Sequence, residues 1–191
     1  MGSHHDARRV AFLVANSGVE QVELTRPWDE VSRTGGQPEL IAPEAGEVQA
    51  FNHDVDRADR FPVDVAIRQA RADDYDLLVL PGGTTNPDRL RMDTTAMSFL
   101  RDYLATSKPV AAICHGPWSL VEVGSVRGKT LTSWPSLQTD IRNAGGTWVD
   151  QDVFVCPSHG WTLVTSRKPD DLAAFCREIA RLLERSQTPT G

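Results

Sequence analysis

The chain has 191 residues, 40% of them hydrophobic and 24% charged, with a formal net charge of −6. That balance suits one globular domain with a real core and gives no basic face for nucleic acid. No apolar run approaches the roughly 18 residues of a membrane span, and no signal-peptide pattern opens the chain, so no membrane partner and a cytoplasmic setting are expected. Three cysteines, Cys114, Cys156 and Cys176, form no close pair. They read as reduced thiols, and the missing Cys-x-x-Cys and His-x-x-x-His spacings argue against a structural metal.

Residues 1–8 are polar and read as an arm, 9–186 as a single domain and 187–191 as a frayed tail. Arg9 to Ala15 (RVAFLVA) is a nearly continuous apolar run, the pattern of a strand buried on both faces. Glu20 to Thr34 follows with Val22, Leu24, Trp28 and Val31 in helical spacing, closed by Gly35-Gly36. Glu39 to Ala42 is a second strand. Residues 44–65 are charged and irregular, a hairpin or an excursion, and Val65 to Arg71 reads as a short helix.

Asp76 to Leu80 (DLLVL) is the next buried strand and runs into Pro81-Gly82-Gly83. Thr94 to Thr106 is an amphipathic helix with Met97, Leu100 and Leu104 on one side. Lys108 to Ile113 (KPVAAI) is another buried strand, with Cys114 at its end. Pro117 to Val123 reads as a helix opened by proline, where the missing N–H does no harm. Thr130 to Ser133 is extended, Ser136 to Ala144 helical, and Trp148 to Cys156 and Leu163 to Ser166 are strands. Asp170 to Arg185 is a C-terminal amphipathic helix, acidic at its start and basic at its end. Strands alternating with helices predict an α/β fold with a mostly parallel sheet covered on both faces. Ligands on such sheets sit at the carboxyl ends of strands.

Two motifs fall at such ends. Ala112-Ile113-Cys114-His115-Gly116 has the small-x-nucleophile-x-small form of a strand-to-helix elbow. A cysteine there faces orphan N–H groups that favour the reactive thiolate, and His115 is placed to share its proton. The plain alternative is a buried apolar thiol, which is the reading given to Cys176 beside Phe175 and Ile179; Cys156 lies before Pro157 with nothing in the sequence to activate it. The Pro81-Gly82-Gly83 turn is either a simple strand ending or, through the Gly83 N–H together with that of His115, an oxyanion hole. Glu20 and Glu23 stand one turn apart after the first strand. Either they complement a helix N-terminus, or one faces Cys114 as a desolvated, protonated acid that donates to sulfur. His4, His5 and His53 have no partner pattern and read as surface residues.

Glu20-Gln-Val-Glu23, LVLPGG at 78–83, AAICHGP at 111–117, Val126-Arg-Gly128, Thr132-Ser-Trp-Pro135, Asn143-Ala-Gly145 and Trp148-Val-Asp150 together resemble the DJ-1/ThiJ/PfpI superfamily, most closely its PfpI-like branch. The resemblance implies a flavodoxin-like three-layer sandwich, a homodimer or an assembly of dimers, and no cofactor. It implies Cys114 as nucleophile, His115 as its neighbour, and Glu23, or with a one-residue offset Glu20, as the acid beside the sulfur. It also implies Asp88, an aspartate where glutamate is usual, as a third member supplied near an interface by a neighbouring subunit. Trp134 stands where a tyrosine is often found. The implied activity is that of a stress-response cysteine hydrolase acting on glyoxal-derived carbonyl adducts, as a deglycase, or on peptide and amide bonds; the substrate is then a small molecule, a peptide or a protein. The rival expectation is a redox sensor or chaperone whose Cys114 oxidises to sulfenic or sulfinic acid without turnover. A glutamine amidotransferase needs a downstream His-Pro-Glu, and His159-Gly160-Trp161 lacks it.

Overall fold

Side chains alternate across a strand, and Arg9–Leu13 (β1) uses both faces. Ala11 and Leu13 enter one core, Val10 and Phe12 another. The computed structural model describes residues 7–185. The expected tail and most of the expected arm therefore lie outside the described residues. Arg8 is part of the fold: its carbonyl accepts the Gln37 N–H at 2.7 Å, and its guanidinium reaches Asp76 at 3.3 Å.

After β1 come Ser17–Glu20 (β2), Gln21–Arg33 (α1) and Gln37–Ala42 (β3). Glu47–Asn52 (β4), Asp56–Pro62 (β5) and Val65–Ala66 (β6) lead to Leu77–Leu80 (β7). Thr85–Leu90 (α2), Thr94–Ala105 (α3), Val110–Ile113 (β8) and Pro117–Glu122 (α4) follow. Then come Thr130–Leu131 (β9), Gln138–Asn143 (α5), Thr147–Trp148 (β10), Val153–Cys156 (β11), Leu163–Ser166 (β12) and Leu172–Arg185 (α6).

The main sheet has the order β11-β12-β8-β7-β1-β3-β6, parallel throughout except for β11. Met97, Leu100 and Tyr103 of α3 pack on the face that presents Leu78, Leu80 and Ala112. Leu24 and Val31 of α1, with Phe175 and Ile179 of α6, cover the face of Leu77, Val79, Ala111 and Ile113. This is the three-layer α/β sandwich expected. From β1 the chain winds outward through β3 and β6, then returns to β7 on the other side of β1 and continues to β8 and β12. The carboxyl ends of β1 and β7 flank this reversal, where an open sheet leaves a crevice.

A separate three-stranded sheet, β2-β4-β5, stands beside that crevice. Its β4–β5 hairpin turns through Asn52-His53-Asp54-Val55, with φ of 54° at His53 and 66° at Asp54. The two consecutive left-handed residues turn the chain so that the Val55 N–H reaches the Asn52 carbonyl at 3.3 Å, and with Asn52 paired to Asp56 the loop holds three residues.

Two sequence expectations fail. Val65 to Arg71 is not a helix. Asp64 ties itself to Leu40 through both its N–H and its carboxylate, at 2.9 and 2.7 Å, so Val65-Ala66 pair with Ile41-Ala42 as an edge strand. One 3-10 turn, Ile67–Gln69, follows. Trp148 to Cys156 is not one strand, because it serves two sheets. Its start pairs with β9 and its end with β12, while Asp150 and Asp152 leave the strand path to bind Arg167. Among the described residues, no helix is long and apolar enough to cross a membrane.

Candidate active site

Cys114 follows the buried β8 with φ 61°, a left-handed conformation that costs an L-residue about 1–2 kcal/mol. The surroundings hold it there. Its N–H donates to the Ser166 carbonyl at 3.1 Å, and its carbonyl accepts the Trp134 N–H at 2.9 Å. The turn is tight enough to need glycine two residues on: a Cβ at Gly116 would lie 2.3 Å from the Leu80 carbonyl oxygen. Gly82 meets the same limit from the neighbouring strand end, where a Cβ would lie 2.4 Å from Glu23 Oε2 and 2.6 Å from Cys114 Cβ.

Glu23 is the acid that faces the sulfur. It is fully buried on α1, and its Oε2 accepts the Gly82 N–H at 2.8 Å. Its Oε1 meets no partner in strict hydrogen-bond geometry, yet Glu23 lies close enough to Cys114 for each to shift the other's titration. Burial raises the Glu23 carboxyl from 4.5 to about 8. Burial and the Glu23 charge also push the Cys114 thiol up, while the N–H groups of Gly83 and His115 pull it down. The two groups are therefore coupled: each titrates above its ordinary value, and a charge on Glu23 pushes the thiol up further. Helix α4 has only six residues, so the two backbone N–H groups, more than a helix dipole, are what works against burial to favour a charged sulfur.

His115 brings Nδ1 to 3.2 Å from Sγ. Its ring stacks on Trp134 at 5.7 Å and meets the edge of Trp118 at 5.3 Å. Burial lowers its pKa, so the imidazole is neutral at neutral pH. Cys114 and His115 lie at the floor of a cavity of about 290 Å³.

Glu20 also lines this cavity but serves another purpose. Its carboxylate accepts the N–H groups of His53 and Asp54 at 3.0 and 3.3 Å, fixing the hairpin tip. Asp54 in turn accepts the N–H and hydroxyl of Thr84 at 2.7 and 2.9 Å. His53 and Asp54 thus form a cavity wall that sequence reasoning missed. Asp88 is exposed on α2 and is not part of that wall. Asn86, fully buried on the same helix, was missed too. It accepts the Ala15 N–H at 2.7 Å and donates to the carbonyls of Pro81 and Gly82 at 3.1 and 3.0 Å, bracing the glycine turn. The Asn-Pro pair at 86–87 was its only signal.

The other thiols divide. Cys176 is buried, and burial raises it to about 11, as a core thiol. Cys156 is buried as well, but it is not without activating neighbours as expected. Burial works to raise its pKa; the Thr130 N–H, the Ser158 N–H and hydroxyl, and the Lys129 ammonium outweigh it and lower the thiol below its ordinary value.

A buried elbow cysteine, an unpartnered acid on its sulfur and two N–H groups from adjacent strand ends define a cysteine-centred site on a flavodoxin-like sandwich. The profile of the DJ-1/PfpI family matches residues 8–182, and the chain belongs to that family. It is 38% identical over 178 residues to Protein/nucleic acid deglycase 2 of Escherichia coli, covering 93% of this chain and 98% of that one. It is 36% identical over 166 residues to General stress protein 18 of Bacillus subtilis, covering 87% and 92%. The crystal structure of Drosophila melanogaster DJ-1beta superposes with a TM-score of 0.79 at 26% identity, over 94% of this chain and 95% of that one.

Proposed function

We propose that the chain is a stress-response deglycase: a cysteine hydrolase that removes glyoxal-type adducts from amines and thiols. The observation that carries this reading is the buried Glu23 carboxyl placed on the Cys114 sulfur over a small cavity. Family membership and the deglycase relative support it. In this reading the Cys114 thiol passes its proton to His115 as the sulfur attacks the adduct carbon that bears the amine or thiol, and that group leaves with the proton given up by Glu23, which is then a carboxylate. The result is a hemithioacetal on sulfur beside a carbonyl. Glu23 takes the proton from that carbon and returns it to the neighbouring one, so one carbon is oxidised and the other reduced with no outside oxidant. The N–H groups of Gly83 and His115 hold the developing oxyanion. Water then splits the thioester into a hydroxy acid and the restored thiol. A peptidase has no use for a second carbon acid step, and its base would be His115 alone.

The test is release of lactate from methylglyoxal-modified N-acetyl-lysine and N-acetyl-cysteine, followed by NMR. Wild type is expected to turn over; Cys114→Ala loses the activity and Glu23→Gln loses at least 100-fold in kcat/KM. Peptide cleavage without lactate, retained in Glu23→Gln, overturns the reading. Asp88 belongs to the proposal through a homodimer in which it approaches the partner's site. A dimer by sedimentation and a tenfold loss of kcat/KM in Asp88→Ala are expected. A cytoplasmic setting is part of the same proposal, and all three cysteines are free.

A further inference from the structure

The acids at the mouth of the cavity over Cys114 are Glu20 and Asp54, with the uncharged Glu23 carboxyl at its floor. Glu20, Glu23 and Asp54 line it, and among the described residues no lysine or arginine does. The two mouth acids are fixed in place. Glu20 holds the N–H groups of His53 and Asp54, and Asp54 holds Thr84. Their donors are backbone amides and a hydroxyl, so no ion pair in the structure offsets their charge. At the floor the Glu23 Oε1 is fully buried, unpartnered and turned toward the sulfur. The acids act at the reacting groups: beyond burial, Glu20 and Asp54 both raise the Glu23 carboxyl, and Asp54 raises His115. The imidazoles of His53 and His115 complete the titratable set on the wall, and burial keeps that of His115 neutral.

We infer that this site is a charge filter: it admits uncharged and cationic adducts of a small carbonyl and turns away anionic ones. The inference rests on the deglycase reading for the name of the substrate, not for the filter itself. Adducts on amines and on guanidino groups pass; the same carbon carried close to a carboxylate is disfavoured. The hydroxy acid formed at the end carries a carboxylate, so the same field expels it.

Two measurements on the full chain test this. The first compares kcat/KM for methylglyoxal hemithioacetals of cysteamine, N-acetylcysteine amide and N-acetylcysteine, which differ in charge but share the reacting carbon. The anionic carrier is expected at least tenfold below the neutral one, with the gap narrowed in Glu20→Gln, in Asp54→Asn and at 0.5 M salt. The second compares alkylation of Cys114 by iodoacetamide and iodoacetate, mapped by mass spectrometry and normalised to the ratio for N-acetylcysteine amide. A normalised preference for iodoacetamide of tenfold or more supports the filter. A ratio equal to that of the small thiol overturns it, whatever the turnover results. Preference in alkylation with no turnover of any carrier sinks the deglycase reading and leaves the filter standing.

Discussion

Cys114 and Glu23 each carry a cost that the fold does not need. The left-handed φ of 61° at Cys114 is strain held by the bonds to Ser166 and Trp134. Cys114→Ala and Cys114→Gly are both expected to lose turnover. Of the two, Cys114→Gly is expected to be the more stable by about 1 kcal/mol in urea unfolding, the reverse of the usual order, because alanine keeps the strain. Glu23 titrates near 4.5 when unfolded and at about 8 in the native protein. The native state thus keeps a proton that the unfolded chain releases. This contribution to stability is complete below about pH 4.5 and is lost as pH rises through about 8. Glu23→Gln, uncharged at every pH, is expected to flatten that slope and to exceed wild type in melting temperature at pH 8 while losing activity. Equal pH slopes in the two proteins would sink the assignment of a protonated acid.

At the scale of elements, the site is built from turns that admit few replacements. Gly82→Ala drives a methyl into Glu23 Oε2 and Cys114 Cβ; activity is expected to fall at least 100-fold, read as kcat/KM. Asn86→Ala takes the side-chain partner from the Ala15 N–H and from the Pro81 carbonyl, and leaves the Gly82 carbonyl with the Glu20 N–H at 3.4 Å. It is expected to cost about 2–4 kcal/mol in urea unfolding, with activity at low temperature reduced less than in Gly82→Ala. The elbow and the LPGG turn were legible in the sequence because each is local, a buried apolar run that ends in small residues; the acid was legible only as one of the pair Glu20 and Glu23, one helical turn apart. Residues 52–55 were not legible, because His53 and Asp54 act through Glu20 and Thr84, about thirty residues away on either side. The edge strand Val65-Ala66 is too short for any period to show. Strand β2 was hidden for a different reason: Ser17 and Gly18 break its apolar pattern, and Gly18 is required because Thr85 Cβ would lie 2.6 Å from any Cβ there.

Across the whole molecule, stability is unevenly shared. Strands β1, β7 and β8 are buried along nearly their full length, whereas β5 is exposed along most of its own. Native-state hydrogen exchange is expected to protect the amides of Phe12, Val79 and Ala111 at least a thousandfold more than those of β5. Uniform protection would show that the small sheet unfolds only with the sandwich.

The chain leaves the sandwich after Ala42 and returns at Asp64, which is bonded back to Leu40. The hairpin between them closes one side of the cavity yet carries none of the groups that touch the sulfur. Of the two mouth acids, Asp54 therefore lies in a different stretch of the chain from the thiol, its acid and its amide donors, while Glu20 stands beside Glu23. Grafting a different loop between those two anchor points could retune what enters while the thiol, its acid and its amide donors stay as they are.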